Sequence, residues 1–258
     1  MIDVNINLSR WPTRRLPFDE TSRLVEKLTA SGIKQAWAGS FDGLLHKDLA
    51  AVNARLAEEC ATVAPGFLVP FGSINPTLPD WEDDVRRCAE DHKMHGIRLH
   101  PNYHDYTLED ERFVKLLDLA KRHHLIVQIA IKMEDERTQH KLLRVDPVDA
   151  MPLVELLKNK PDLPIVLLNS LRTLRNDGIS QLAAAGNIHF EISMQEGVGG
   201  ITKLLEHAPL ARVLLGSHFP FFYLELALLK LRESELARFQ LAAITTENAQ
   251  RLLDSRNG

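Results

Sequence analysis

The stretch Ile2-Asp3-Val4-Asn5-Ile6-Asn7-Leu8 decides between the two common parallel α/β folds. Its apolar and polar residues alternate, which predicts a β-strand. The next residues, Ser9-Arg10-Trp11-Pro12, contain no glycine. An open doubly wound sheet normally has a Gly-rich phosphate-binding turn after its first strand. The sequence therefore favours a closed (β/α)8 barrel, and the open sheet is the alternative.

Seven further short runs rich in Val, Ile and Leu follow along the chain, as expected for strands buried on both faces. The eight predicted strands are Ile2–Leu8, Ile33–Ala38, Phe67–Ile74, Ile97–His100, Leu125–Ile131, Ile165–Asn169, Ile188–Ser193 and Val213–Gly216. Segments with helical spacing separate them. Eight alternating units in 258 residues predict a single α/β domain, a (β/α)8 or TIM barrel spanning residues 1–258.

The helical segments have apolar residues on one face. After Pro79, a residue suited to a first helical turn, Trp81, Val85 and Cys88 recur at helical spacing. Near the end of the chain, Thr245 is predicted to cap the last helix.

Composition and charge exclude several classes of protein. The chain has 31 Lys+Arg against 35 Asp+Glu, a formal net charge of −4, which argues against nucleic acid or an anionic membrane as partner. Two cysteines are too few for a disulfide scaffold. No apolar run approaches the roughly 18 residues of a membrane helix, and no signal-peptide pattern opens the chain. We expect a cytoplasmic protein, and a homo-oligomer remains compatible with the sequence.

Polar residues follow most of the predicted strands at their C-terminal ends, where barrel enzymes place their active sites. Buried polar groups need hydrogen-bond partners, so these side chains are expected to converge on a polar pocket. The set includes Asn5, Asn7, Arg98, His100, Gln128, Asn169, Glu191, Ser193, Ser217 and His218.

Five short motifs occur along the chain in an order found in one superfamily. They are Ile2–Asn7, Gly96–Pro101, Pro164–Asn169, Val213–Pro220 and Thr246–Leu253. In these motifs the chain resembles the amidohydrolase superfamily, in particular the "amidohydrolase 2" branch of small barrel hydrolases, lactonases and decarboxylases. The resemblance implies a TIM barrel with a divalent-metal site at the strand ends.

The positions that the resemblance assigns to metal ligands carry other residues here. The His-x-His pair of the first strand corresponds to Asn5 and Asn7. The histidines of strands five and six correspond to Ala130 and Asn169, and the aspartate of Gly-Ser-Asp-x-Pro corresponds to His218. Each position that normally builds the metal site is therefore replaced.

Zinc and similar metals prefer imidazole, thiolate and carboxylate ligands over neutral amide oxygens. Only His218 and His100 remain as imidazole donors. We therefore expect no cofactor, and the alternative is a weakly bound zinc or manganese ion held by these two histidines.

The first functional hypothesis is a hydrolase or lactonase that acts on a small carboxylate or lactone without the usual metal. His218 and His100 would transfer protons, since imidazole titrates near neutral pH. Arg98 would hold an anionic group, because its planar fork suits carboxylates. The structural alternative for Arg98 is an internal ion pair with Asp3 or Glu191.

The remaining predicted substrate-binding residues are polar or aromatic. Asn5, Asn7 and Asn169 would orient the substrate by hydrogen bonds, and Arg10 and Trp11 would contact it from the loop after the first strand. The second hypothesis is a pseudoenzyme, a barrel that binds a ligand or a partner subunit without catalysis. A strand-end cavity closed by Trp11 and Phe219 would favour this second hypothesis.

Overall fold

Eight parallel strands form one sheet in sequential order, from the first to the eighth. The computed structural model describes residues 1–255. The strands are Ile2–Leu8 (β1), Gln35–Ser40 (β2), Leu68–Ser73 (β3), Gly96–Leu99 (β4), Ile126–Ala130 (β5), Ile165–Leu168 (β6), Ile188–Glu191 (β7) and Val213–Leu214 (β8). All eight predicted strands are confirmed, with ends displaced by at most two residues.

Backbone hydrogen bonds join β1 to β8 and close the barrel. The Val4 amide donates to the Leu215 carbonyl at 2.9 Å, and the Asn7 amide donates to the Phe219 carbonyl at 2.9 Å. The predicted (β/α)8 barrel is thus confirmed, and the open-sheet alternative is wrong.

Helices connect the strands on the outside of the barrel, as right-handed parallel crossovers require. They are Thr21–Ala30 (α1), Leu49–Val63 (α2), Trp81–Arg86 (α3), Glu111–Arg122 (α4), Leu153–Leu156 (α5), Asn176–Ala185 (α6), Gly200–Leu204 (α7), Leu224–Glu233 (α8), Arg238–Ala242 (α9) and Asn248–Asp254 (α10). No helix within residues 1–255 is long and apolar enough to cross a membrane.

The predicted apolar helix face after Pro79 is confirmed. Trp81 and Val85 are buried in α3, and Cys88 is buried in the π-helical turn that continues it. The predicted Thr245 cap is wrong. A π-helical turn, Ala243–Glu247, joins α9 to α10 without a break, and the Thr245 hydroxyl donates back to the Leu241 carbonyl at 2.7 Å.

A buried carboxyl group reinforces the β1–β8 seam. Asp3 Oδ1 accepts hydrogen bonds from the backbone amides of Asn5 and Ser217, each at 3.1 Å, and Oδ2 accepts from Ser217 Oγ at 2.5 Å. Burial raises the pKa of Asp3 to about 7, against the opposing effect of these hydrogen bonds. Folding therefore favours the protonated, neutral form of Asp3.

This raised pKa predicts that the free energy of unfolding depends on pH. Asp3→Asn should remove this dependence, because asparagine imitates the protonated side chain. A carboxyl with a raised folded pKa contributes its full stability below the unfolded value of 3.8 and loses it as pH rises to about 7. The free energy of unfolding of the wild type, relative to Asp3→Asn, should fall over this window by up to about 4 kcal/mol. Urea unfolding at a series of pH values measures the difference.

The exposed Asp105 provides the control, because Asp105→Asn should give a difference from wild type that changes little across the same range. A difference between wild type and Asp3→Asn that stays constant from pH 4 to pH 7 would contradict the assigned protonation state.

Candidate functional site

Two of the asparagines at the metal-ligand positions belong to one buried hydrogen-bond network. Asn5 Nδ2 donates to Asn169 Oδ1 at 2.8 Å and to Glu191 Oε1 at 3.2 Å. Ser193 Oγ donates to the same two oxygen atoms at 2.9 and 2.7 Å. All four side chains are buried. The network therefore satisfies the Glu191 carboxylate with neutral donors in place of a metal ion.

The local backbone explains how these side chains reach the barrel mouth. The pairing register of β1 with β2 shifts between Asp3 and Ile6, at the position of Asn5. Asn169 and His218 both adopt the left-handed conformation, with φ of 56° and 57°. Register shifts and left-handed residues of this kind are concentrated beside functional sites, where they redirect side chains.

His218 is engaged through both ring nitrogens. Nε2 donates to the Met133 carbonyl at 2.8 Å, which leaves Nδ1 as the acceptor for Asn7 Nδ2 at 3.5 Å. Burial lowers the pKa of His218 to about 4, against the raising effect of the bond to Met133 and with a further lowering by Arg98. His218 is thus neutral at pH 7 and connects β8 to the loop after β5.

Arg98 lies buried inside the barrel, and its guanidinium group donates hydrogen bonds to protein acceptors. Nε donates to Gln128 Oε1 at 2.8 Å, and Nη2 donates to the Trp37 carbonyl at 3.2 Å. Nη1 donates to the Ile6 carbonyl at 2.7 Å and to Asn7 Oδ1 at 2.8 Å. Every nitrogen of the guanidinium therefore already has a partner.

These partners of Arg98 are neutral, so the structural alternative of an internal ion pair with Asp3 or Glu191 is wrong. No carboxylate within residues 1–255 lies at ion-pair distance, because amide and carbonyl oxygens occupy the fork first. Burial lowers the pKa of Arg98 to about 9, and Asp3 and Glu191 partly offset this from a longer distance. The guanidinium remains charged at pH 7.

Among residues 1–255, His100 lacks a hydrogen-bond partner at both polar atoms of its side chain, whereas Asn5 lacks one only at Oδ1. The His100 ring is fully buried. Burial lowers its pKa well below 6.5, and the nearby His104, Arg98 and His218 lower it further. A buried polar atom without a partner costs about 1–3 kcal/mol, so two such nitrogens on one ring point to a ligand site.

An aromatic cluster covers this interior from the loop after β1. Trp11 is 2% exposed and packs edge-on against Phe41 and Phe221, with ring centroids 5.2 and 4.8 Å away. Its Nε1 donates to Thr13 Oγ1 at 3.0 Å. The neighbouring Arg10 is exposed. Of the two predicted loop contacts, Trp11 therefore lies over the barrel and Arg10 lies at the surface.

The donor set does not fit a divalent-metal centre of the zinc or manganese kind. No group of three or more His, Cys, Asp or Glu side chains in the described part of the chain could hold a metal ion. Asn169 Oδ1 accepts from Asn5 Nδ2, and both nitrogens of His218 are engaged. Asn5 Oδ1 has no partner among residues 1–255, but a neutral amide oxygen is a poor ligand for such a metal. Ala130 has no donor atom in its side chain.

A family model supplies the assignment that the site geometry alone does not. The amidohydrolase model Amidohydro_2 matches residues 13–254. The chain belongs to the amidohydrolase family. The resemblance inferred from the five motifs is thereby confirmed. No curated protein matches the chain significantly.

Solved structures with the same fold include two decarboxylases and an uncharacterised TIM-barrel protein. A 2,6-dihydroxybenzoate decarboxylase from Rhizobium is 15% identical, with a TM-score of 0.72, over 99% of this chain and 100% of that one. An uncharacterised TIM-barrel protein from Bordetella bronchiseptica is 15% identical, with a TM-score of 0.74, over the full length of both chains. A dihydroxybenzoic acid decarboxylase from Polaromonas sp. JS666, solved with manganese and 2-nitroresorcinol, is 13% identical, with a TM-score of 0.72, over 98% of this chain and 97% of that one. At these identities the likeness concerns the fold.

Loops supply contacts that the strand pattern did not predict. The Met133 carbonyl holds His218, and Glu134 Oε2 accepts from Arg14 Nη1 at 3.0 Å, which ties the loop after β5 to the loop after β1. These contacts join residues far apart in sequence, and neither loop has a motif that could have revealed them.

Gly39 makes room for Arg98, so this amidohydrolase should not tolerate a side chain there. A Cβ atom at Gly39 would lie 2.6 Å from Arg98 Nη1 and 2.7 Å from its Cδ. We expect Gly39→Ala to lower the free energy of unfolding by about 1–3 kcal/mol, the usual cost of overpacking. Denaturant unfolding monitored by circular dichroism measures this.

Gly178, inside α6, offers the matched control. A Cβ atom there would meet only Met151 Sδ, at 3.4 Å, so Gly178→Ala should leave the helix unchanged or stabilise it. Equal stability of Gly39→Ala and wild type would show that the Arg98 side chain can move out of this position.

Proposed function

We propose that this amidohydrolase-family chain is a metal-independent hydrolase or lactonase that acts on a small carboxylate or lactone at the strand ends. His100 is the proton-transfer group. The observation that carries the proposal is the fully buried His100 ring with no partner for either nitrogen among residues 1–255. The solved decarboxylases were named for aromatic carboxylic acids, which supports an anionic substrate for this chain as well.

The electrostatic surroundings support an anion next to His100. The Arg98 charge is balanced by neutral acceptors alone at hydrogen-bond distance. It therefore favours a negative group in the same low-dielectric interior, although its fork is too occupied to clamp one. An anion would also raise the pKa of His100 towards neutrality, because an opposite charge stabilises the imidazolium.

In the proposed hydrolysis, a neutral His100 nitrogen accepts a proton from water as the water oxygen bonds to the lactone carbonyl carbon. The ring C–O bond then breaks, and the imidazolium returns the proton to the departing oxygen. Asn5, Asn7 and Asn169 hold the strand ends in place through their bonds to neighbouring protein groups. The neutral His218 is assigned the same structural role, since both of its nitrogens are engaged.

A second candidate function is a non-catalytic ligand-binding or subunit-partner barrel. Two observations favour it. Each nitrogen of the Arg98 guanidinium already donates to a protein acceptor, and Trp11 covers the strand ends at 2% exposure. In this case a small anion would still bind to His100 without being transformed.

We expect His100→Gln to lower the rate of lactone hydrolysis by about 100-fold or more, the usual contribution of a general base. The substrates are a panel of small carboxylated lactones, and chelator-treated protein is assayed through the proton released on ring opening. In the wild type, kcat/KM should stay constant as pH falls through 6.5, because the pKa of His100 lies well below that value.

The exposed His46 gives the matched control, and His46→Gln should keep the wild-type rate. Wild-type turnover in His100→Gln would overturn the assigned role. No turnover of any lactone by the wild type, combined with thermal stabilisation by the same compounds that His100→Gln abolishes, would establish the non-catalytic candidate instead.

A further inference from the structure

A cavity outside the His100 region lies beside the C-terminal ends of β5 to β7. Its volume is about 350 Å³, within the range of small-molecule sites. The loop after β7 and helix α8 form its walls. The lining residues are Lys132, Asp135, Arg172, Ser193, Met194, Gln195, Glu196, Phe222, Leu226 and Lys230.

One cation of this cavity has no ion-pair partner. Lys230 Nζ donates to the carbonyls of Ile192, at 3.1 Å, and Ser193. No carboxylate within residues 1–255 lies within ion-pair distance of it. An ammonium group has three donors, so one N–H of Lys230 is left for a further acceptor.

The other two cations of the cavity are already neutralised. Lys132 Nζ lies 3.0 Å from Glu136 Oε1. Arg172 pairs with both carboxylates of the lining: its Nη1 lies 2.8 Å from Asp135 Oδ2 and its Nε lies 3.4 Å from Glu196 Oε1. Partial burial lowers the pKa of Lys230, and the more distant Glu191 and Glu196 offset this only in part. An anion would lower the cost of this burial more than an additional neutral acceptor would.

The rest of the lining is suited to an apolar body. Met194, Phe222 and Leu226 present thioether, aromatic and aliphatic surface beside the ammonium group. Leu226 is 47% exposed, so the cavity reaches the protein surface at α8. A charged group at one end and an apolar wall along the side complement an amphipathic molecule.

We propose that this cavity is a binding site for an amphipathic carboxylate, with Lys230 as the anchor of the carboxylate and Met194, Phe222 and Leu226 as the contact surface of the apolar part. The site does not depend on the chemistry at His100. Ser193 lies between the two regions, since it lines the cavity and also donates to Asn169 and Glu191.

The test measures the binding of octanoate by isothermal titration calorimetry, with octan-1-ol as the neutral analogue. Octanoate should bind the wild type more tightly than octan-1-ol. Lys230→Met keeps the apolar stem and removes the charge, and it should weaken octanoate binding by about 10-fold or more. Lys203→Met, which removes an exposed lysine from nearby α7, should bind as the wild type does.

Leu226→Glu covers the case in which Lys230→Met does not fold. This change on the partly exposed face of α8 should weaken octanoate binding by charge repulsion. No binding of octanoate by the wild type, equal binding of octanoate and octan-1-ol, or wild-type affinity in both Lys230→Met and Leu226→Glu would overturn the proposal. His100→Gln should bind octanoate normally, so the outcome is independent of the proposed hydrolysis.

Discussion

The buried guanidinium of Arg98 is the constraint on which the rest of the strand-end architecture depends. A charge inside a barrel is tolerated only where its donors are satisfied. Gln128, Asn7 and two backbone carbonyls provide the acceptors, and the absence of a side chain at Gly39 provides the space. The barrel core is thus organised around a fixed positive charge that touches no carboxylate among residues 1–255.

The need to satisfy buried charged groups also accounts for the residue types at the positions that a metal centre would need. The side chains of Asn5 and Ser193 supply neutral donors to the buried Glu191 carboxylate, and Asn7 supplies an oxygen to Arg98. Amides suit both tasks because each has a donor and an acceptor. Histidines at these places would serve a metal ion better but would leave Glu191 and Arg98 with fewer partners.

The sequence predicted the fold well and the site only in part. Short apolar runs placed all eight strands, because each strand carries its own local pattern. The strand-end residues were also identified, yet their roles depend on distant partners. The Met133 carbonyl occupies His218, and neutral acceptors occupy Arg98. Lys230 was missed because it reaches the ends of the strands from α8, where no local pattern distinguishes it from a surface lysine.

Metal content tests this account most directly. Protein purified without an affinity metal column is incubated with zinc or manganese, freed of excess ion and measured by elemental analysis. The network of amides predicts well below one equivalent of either metal under all conditions. Near-stoichiometric metal that disappears in His218→Ala would contradict the account, because it would show that a divergent metal centre still forms at the strand ends.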